Sequence, residues 1–244
     1  MQEIVITGTQ LGAYGRDLAP PETPYALLGA LLDATSAPRI RMSSLQPQDL
    51  TDELIALWDD PRLCRHFHLA LQSGSERVLK RMRRRYTKEQ YRDAVQRLRR
   101  FQPDVAITTD VIVGFPGETD DDFEECLAFC REMAFAGIHV FPYSQREHTL
   151  ASRMTDAVSD AVKKQRVHRL IELSDAMSED YRRRFVGRTM PVLWETQRDG
   201  VWEGLTDTYV KVNAAGGAAL RNQVTPVLML ETRDGRLMGQ MVTL

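Results

Sequence analysis

The sequence predicts an α/β protein: a partial parallel (β/α) barrel over residues 1–186, followed by a small antiparallel, OB-like β-barrel over residues 187–244. Two observations carry that reading. From residue 3 to about 144, short β-branched runs alternate with amphipathic helical stretches at a spacing of about 30 residues, the pattern of parallel strands joined by right-handed crossovers. Beyond Gly187 the texture changes to five short strands broken by two Asp-Gly turns, Asp199-Gly200 and Asp234-Gly235, which mark tight antiparallel hairpins.

In chain order, the first part offers strands at Glu3 to Thr7, Arg39 to Leu45, His66 to Gln72, Asp104 to Phe115 and Gly137 to Ser144. Between them the apolar spacing is helical over Pro24 to Ala34, Pro47 to Trp58, Ser75 to Met82, Lys88 to Phe101 and Thr119 to Phe135. Thr119 followed by Asp120-Asp121-Asp122 is a capping box with extra anionic charge over a helix N-terminus, after a Pro116-Gly117 turn. A long connector helix follows Ser159, with Val167, Leu170, Ile171, Met177, Tyr181 and Phe185 at helical spacing and Gly187 closing it. The second part reads as strands at Met190 to Thr196, Val201 to Leu205, Tyr209 to Asn213, Gln223 to Glu231 and Leu237 to Leu244, with a break at Gly216-Gly217.

Composition narrows the function. The 244 residues carry 32 Lys+Arg against 34 Asp+Glu, a net charge of −2, so any nucleic-acid role must come from local basic patches. A 43% hydrophobic content is enough for a substantial core, and no apolar run approaches the roughly 20 residues that span a bilayer. The start has no basic or apolar leader, and the three cysteines, Cys64, Cys126 and Cys130, are too scattered for a disulfide framework. Both features indicate a cytoplasmic setting.

In a parallel α/β barrel, functional groups gather at the C-terminal strand ends. Here those ends carry Gly8-Thr9-Gln10, Ser43-Ser44, Gln72-Ser73-Gly74-Ser75, Gly114-Phe115-Pro116-Gly117-Glu118-Thr119 and Tyr143-Ser144. Turns between strand and helix need glycines and caps in any case, but small hydrogen-bonding residues at every end suit a polar ligand such as a nucleoside or amino acid. His66 and His68 share one strand face. Such a pair suits a metal, yet no third ligand has convincing spacing, so they read as one polar barrel layer and no metal is assigned. Cys126 and Cys130, four apart among Leu127, Phe129 and Met133, read as core.

Two basic blocks stand out, Arg77 to Lys88 continuing to Arg100, and Lys163 to Arg188. Charge runs are usually solvated helix faces, and some of these arginines can pair with Glu89, Asp93, Glu172 or Glu179. Beside an OB-like barrel they also suit a phosphate backbone.

The blocks Ile6-Thr7-Gly8-Thr9-Gln10-Leu11-Gly12-Ala13-Tyr14-Gly15, Arg39-Ile40-Arg41-Met42-Ser43-Ser44, His68-Leu69-Ala70-Leu71-Gln72-Ser73-Gly74-Ser75, Thr109-Asp110-Val111-Ile112-Val113-Gly114-Phe115-Pro116-Gly117-Glu118-Thr119 and His139-Val140-Phe141-Pro142-Tyr143-Ser144 resemble the radical S-adenosylmethionine methylthiotransferases. The C-terminal part resembles their RNA-binding TRAM domain. The opening block and the Phe-Pro-Tyr-Ser strand look most like the branch that methylthiolates threonylcarbamoyladenosine beside the tRNA anticodon.

The resemblance implies a radical-SAM-type barrel lacking its first strand, with S-adenosylmethionine as cofactor and the tRNA anticodon stem-loop as partner. By strand-end position, Gly8, Gln10, Arg41, Ser43, Gln72, Asp110, Gly114 and Tyr143 would line the cofactor and nucleoside pocket. Arg81, Arg83, Arg84, Arg85 and Lys211 would hold RNA. The family's [4Fe-4S] clusters need a Cys-x3-Cys-x2-Cys loop, which cleaves S-adenosylmethionine to a 5′-deoxyadenosyl radical, and a second cysteine set; neither is in this chain. The expectation is therefore a C-terminal portion of such an enzyme, inactive alone and completed by a missing N-terminal segment, with no catalytic residue assigned. The alternatives are a cluster-free tRNA-binding protein, a methylthiotransferase acting on isopentenyladenosine or a ribosomal protein, and, last, an unrelated barrel enzyme with Asp110 or Glu118 as base.

Overall fold

The protein is described here by a computed structural model covering residues 1–216 and 219–242. Gly217 of the expected break and residues 243–244 of the expected last strand lie outside the described residues. The first part runs β1 (Glu3–Ile6), α1 (Pro24–Ala34), β2 (Arg39–Met42), α2 (Asp52–Ala56), β3 (His66–His68), α3 (Glu76–Arg81), α4 (Lys88–Phe101), β4 (Ala106–Val113), α5 (Asp120–Met133), β5 (Gly137–Pro142) and α6 (Asp160–Arg183). Every strand pair in it is parallel: β1 with β2, and β3 with β4 with β5. The two sheets are joined by the single bridges Ile40 to Leu63 and Leu45 to Leu69.

Caps set the helix starts. Thr23 accepts from the Ala26 N–H with Pro24 at the first turn, and Thr87 with Gln90 and Thr119 with Asp122 close capping boxes at α4 and α5. The expected helix from Pro47 to Trp58 is instead three short pieces, because Leu50 is extended and Thr51 starts α2 afresh by accepting from the Leu54 N–H. The core beneath the sheets packs Leu28, Leu69, Tyr91, Phe129 and Phe135, all fully buried. Among the described residues no helix is long and apolar enough to cross a membrane.

α6 carries the chain to the second part, where β6 (Thr189–Arg198), β7 (Val201–Thr206), β8 (Lys211–Ala215), β9 (Val224–Arg233) and β10 (Arg236–Met241) close a barrel in the order β10-β8-β7-β6-β9. Both Asp-Gly pairs turn hairpins with two consecutive positive φ angles, +49° then +77° at Asp199-Gly200 and +49° then +73° at Asp234-Gly235. The barrel is not wholly antiparallel as expected, for β8 and β10 pair in parallel. A ring of five strands cannot alternate direction all the way round, so one pair must run the same way. Tyr209 takes φ +63°, which moves the start of β8 from the expected Tyr209 to Lys211.

The barrel interior is built on Trp194, buried among Val192, Val212, Val227, Met229 and Leu237, with its indole N–H donating to Thr225 Oγ1 at 2.7 Å. Truncating that ring leaves a cavity and an unpaired hydroxyl. Trp194→Ala is therefore expected to lower the unfolding free energy by about 3–5 kcal/mol, read from the midpoint of urea denaturation.

Candidate ligand cavity at the strand ends

Parallel strands present their C-terminal ends on one side, and small-ligand sites of α/β folds form there. The ends of β3, β4 and β5, the α3–α4 connection and residues 144–154 enclose a cavity of about 670 Å³, within the usual size for a small-molecule site. Gln72, Asp110 and Tyr143, expected from their strand-end positions, line it together with Arg81, Arg83 and Arg84. Gln72 is left-handed at φ +66°; its N–H donates to the Asp110 carbonyl at 2.8 Å and its own carbonyl accepts from the Ile112 N–H at 2.9 Å. Backbone pairing thus locks the position of a residue whose conformation is otherwise disfavoured.

Tyr143 Oη and Arg84 Nε are buried with no hydrogen-bond partner, so each retains bonding capacity that a ligand can meet. Phe115 packs edge-on against the Tyr143 ring at 5.3 Å. Burial raises the Asp110 carboxyl, but the His68 imidazole 3.3 Å away and nearby His139 outweigh it and hold Asp110 below the usual carboxylate range. It is an anion at neutral pH.

The other expected residues lie elsewhere. Gly8 and Gln10 are exposed after β1 and do not line this cavity. Gly114, at φ +72°, gives its N–H to Glu118 Oε1 at 2.8 Å, so its amide serves the loop. Gly74 is required by packing, because a Cβ there would sit 2.8 Å from the Cα of Cys126 on α5. Arg41 and Ser43 line a second cavity of about 390 Å³ with His66, His68, Thr108 and His139. Arg41 is committed there to Glu3 and to the carbonyls of Thr206 and Asp207.

Most of the basic blocks are neutralised. Arg77 pairs with Asp122, Arg92 with Glu89 and Glu132, Arg97 with Asp52, Arg166 with Glu118 and Asp120, Arg169 with Glu124, and Arg188 with Asp104. Arg81 donates to the Pro116 carbonyl at 3.1 Å and pairs with Asp156 at 2.6 Å. Arg83, Arg84 and Arg85 have no ion pair among the described residues, and the first two line the cavity. Lys211 is exposed on β8 and lines a separate recess with Tyr209 and His139. Sequence reading missed Arg146, Thr149 and Leu150, which cover the cavity from a segment without helical or strand periodicity.

Parallel strands opening a cavity at their carboxyl ends, together with a closed β-barrel, define an α/β protein with a candidate ligand cavity and an appended all-β module. The chain belongs to the radical SAM superfamily, which residues 6–130 match. It is 39% identical, over 99% of its length, to a threonylcarbamoyladenosine tRNA methylthiotransferase of Bacillus subtilis, covering 55% of that relative. It is also 39% identical, over 99% of its length, to a tRNA-2-methylthio-N(6)-dimethylallyladenosine synthase of a Thermoanaerobacter species, covering 52% of that one. The chain spans about half the length of these curated relatives. Among solved structures, coproporphyrinogen III oxidase of Escherichia coli, a radical SAM enzyme, shares the fold at a TM-score of 0.52 and 17% identity, over 63% of this chain and 37% of that one.

The superfamily implies S-adenosylmethionine and a [4Fe-4S] cluster. The cavity fits the first: it is of the right size and offers an anionic Asp110 and the unpartnered Tyr143 hydroxyl. The cysteines do not fit the second. Cys64 is buried, donates to Glu3 Oε2 at 3.7 Å and is pushed up to about 11 by burial against the pull of Arg41 and Arg39. Cys130, buried on α5, is raised by its hydrogen bond with Cys126 and by burial. A cluster needs at least three converging thiolates, whereas these are buried core thiols: two share α5 and Cys64 lies apart from them before β3.

Asp122 caps α5 and anchors α3. Burial raises its carboxyl, but the hydrogen bonds of Arg77, the Thr119 N–H and hydroxyl, and Ser75 Oγ hold it far below the usual range. A depressed native pKa gives stability that is present above the unfolded carboxylate value, about 3.9, and lost as pH falls towards the native one. Asp122→Asn is expected to lower the melting temperature at pH 7 and to differ progressively less from the parent below about pH 4, followed by circular dichroism.

Proposed function

We propose that this chain is the cofactor- and RNA-binding portion of a tRNA methylthiotransferase, acting on threonylcarbamoyladenosine next to the anticodon. The observation that carries the reading is the single strand-end cavity that joins Gln72, Asp110 and Tyr143 to the unpaired cations Arg83 and Arg84. In this reading Asp110 accepts from the hydroxyl or amino groups of S-adenosylmethionine, Tyr143 gives its free hydroxyl to the same ligand, and Gln72 fixes its orientation. When bound, S-adenosylmethionine supplies the radical precursor of the superfamily's chemistry. The three core cysteines leave cluster binding to ligands outside these 244 residues.

Arg83, Arg84 and Arg85 sit on the α3–α4 connection, the first two lining the cavity, where RNA phosphates would bring a modified adenosine to the cofactor. Their lack of acidic partners supports this use, since a paired arginine must give up its carboxylate before it can neutralise a phosphate. The second barrel, a TRAM-like module in this reading, would add surface for RNA through Lys211 and exposed Tyr209. The choice of the threonylcarbamoyl branch rests on the Thr7-to-Gly15 block and on the Phe141-Pro142-Tyr143-Ser144 strand.

Two measurements test the reading. An anticodon stem-loop is expected to bind the chain with an affinity that falls as salt rises. Replacing Arg83, Arg84 and Arg85 by alanine should flatten that salt dependence by a slope of roughly 2, at about 0.7 per phosphate lost. An unchanged slope would remove these residues from the RNA site. Anaerobic treatment with iron and sulfide is expected to leave no stoichiometric cluster absorbance, and a stable cluster on these cysteines would overturn the assignment of that role to ligands elsewhere.

A further inference from the structure

Between the two cavities, β3, β4 and β5 bring three ligand-type side chains to one point. His68, Asp110 and His139 each offer an atom, and these atoms all lie within 4.8 Å of one another. The convergence follows from strand register: Asp110 pairs with His139 across β4 and β5, and His68 pairs with Thr108 across β3 and β4, one inward step below Asp110.

The first two ligands are already spaced for a metal. His68 Nε2 lies 3.3 Å from Asp110 Oδ2. A charge-assisted N–H···O⁻ bond draws its atoms to about 2.7–2.9 Å, whereas two atoms bound to one tetrahedral ion at about 2.0–2.2 Å stand roughly 3.3–3.5 Å apart. His139 is exposed, with its ring centroid 5.8 Å from that of His68, so rotation of an unhindered side chain closes the remaining gap.

β4 also supplies the support that a metal-bound imidazole needs. His68 Nδ1 lies 3.1 Å from Thr108 Oγ1, and the same hydroxyl lies 2.8 Å from His66 Nε2. A hydroxyl has one proton, so it accepts from one ring and donates to the other, and by turning it can hold either tautomer of His68. With Nδ1–H donating to Thr108, Nε2 is free to bind a cation together with the Asp110 carboxylate; with no cation there, the other tautomer turns an Nε2–H towards Asp110. Other acidic groups nearby do not compete, since Glu3 is committed to Arg39 and Arg41.

We infer that His68, Asp110 and His139 form a binding site for a divalent first-row transition-metal ion, with its remaining positions open to water or to a ligand in the adjoining cavity. Two imidazoles and one carboxylate are the donor set that zinc, cobalt and ferrous ions accept. Zinc or cobalt binding requires neither S-adenosylmethionine nor RNA, so the site stands or falls separately from the function proposed above.

The test is titration of the tag-free full chain with Co²⁺ alone, followed by visible d–d absorbance and bleaching with Zn²⁺. One saturating equivalent is expected, with affinity at least 10-fold weaker in both His139→Ala and Asp110→Asn. Should Asp110→Asn fail to fold, as judged by circular dichroism, His139→Ala decides, because its ring is exposed and leaves the core intact. The inference is overturned by no saturable absorbance, by parental affinity in His139→Ala, or by an intense thiolate-to-cobalt charge-transfer band, which would place the metal on a cysteine.

Discussion

The carboxylate of Glu3 holds two buried arginines, and the geometry of the smaller cavity depends on that knot. Its oxygens lie 2.8 Å from Arg39 Nε and 2.9 Å from Arg41 Nε. The guanidinium groups then reach the second barrel, Arg39 donating to the Leu205 carbonyl at 3.0 Å and Arg41 to those of Thr206 and Asp207 at 3.1 Å each. Burying charge costs least where donors are used, as in Arg41, whose bonds to Glu3 are completed by two backbone carbonyls; Arg39 Nε and Nη2 are buried without a hydrogen-bond partner, so its charge rests on the ion pair with Glu3 and on the Leu205 carbonyl. The turn so gripped carries Tyr209, whose ring stacks on His66 at 4.2 Å and 6°. The end of the β7–β8 hairpin thereby becomes a wall of the smaller cavity.

That wall has an electrostatic consequence. His66 is buried and driven well below its usual pKa by desolvation and by the neighbouring charges of Arg41, His68 and His139, so it is neutral. A neutral imidazole needs a polar contact but tolerates an apolar face, which Tyr209 supplies. Thr108 meets the polar need and hands the same hydrogen-bonding constraint to His68. Positive charge in the first part is distributed by the same logic: arginines with a carboxylate in reach are spent on tying helices together, as Arg166 ties α6 to Glu118 and Asp120 at the head of α5. The connection after α3 offers Arg83, Arg84 and Arg85 no such carboxylate, and its left-handed Arg83 keeps the run outside a helix.

How much of this was legible follows from how local each signal is. α1 and α4 span the residues read from sequence because Thr23 with Pro24 and Thr87 with Gln90 fix their starts within one turn. Both Asp-Gly hairpins were legible for the same reason, since Asp and Gly tolerate the positive φ their turn needs. The parallel β8–β10 pair was not, because closure of a ring is a property of the count of strands and not of any segment. Of the strand-end residues, Gln72, Asp110 and Tyr143, on or just after β3, β4 and β5, converge, while Gly114 serves its own loop and Gly8 and Gln10, after a strand that pairs with β2 alone, stay outside. His66 and His68 read as a pair without a third ligand. Asp110 and His139 meet His68 only through an inter-strand register that no spacing within one strand encodes.

Register also accounts for the layered order of the interior. Inward-facing residues recur every second position, about 6.6 Å along a strand, so each strand contributes one side chain per level. His66 pairs with Ala106 nearest the arginine knot and His68 with Thr108 one step on, where the Thr108 hydroxyl reaches both rings; Asp110 and His139 pair above them, and Gln72 and Ile112 lie higher still at the larger cavity. Among the described residues, Asp110 both faces His68 and lines the larger cavity, and no arginine takes its charge. A ligand entering the cavity and a cation seated on the histidines would therefore meet through one anion. Binding of either would change the field felt by the other, with Asp110 as the group through which the two levels would be coupled.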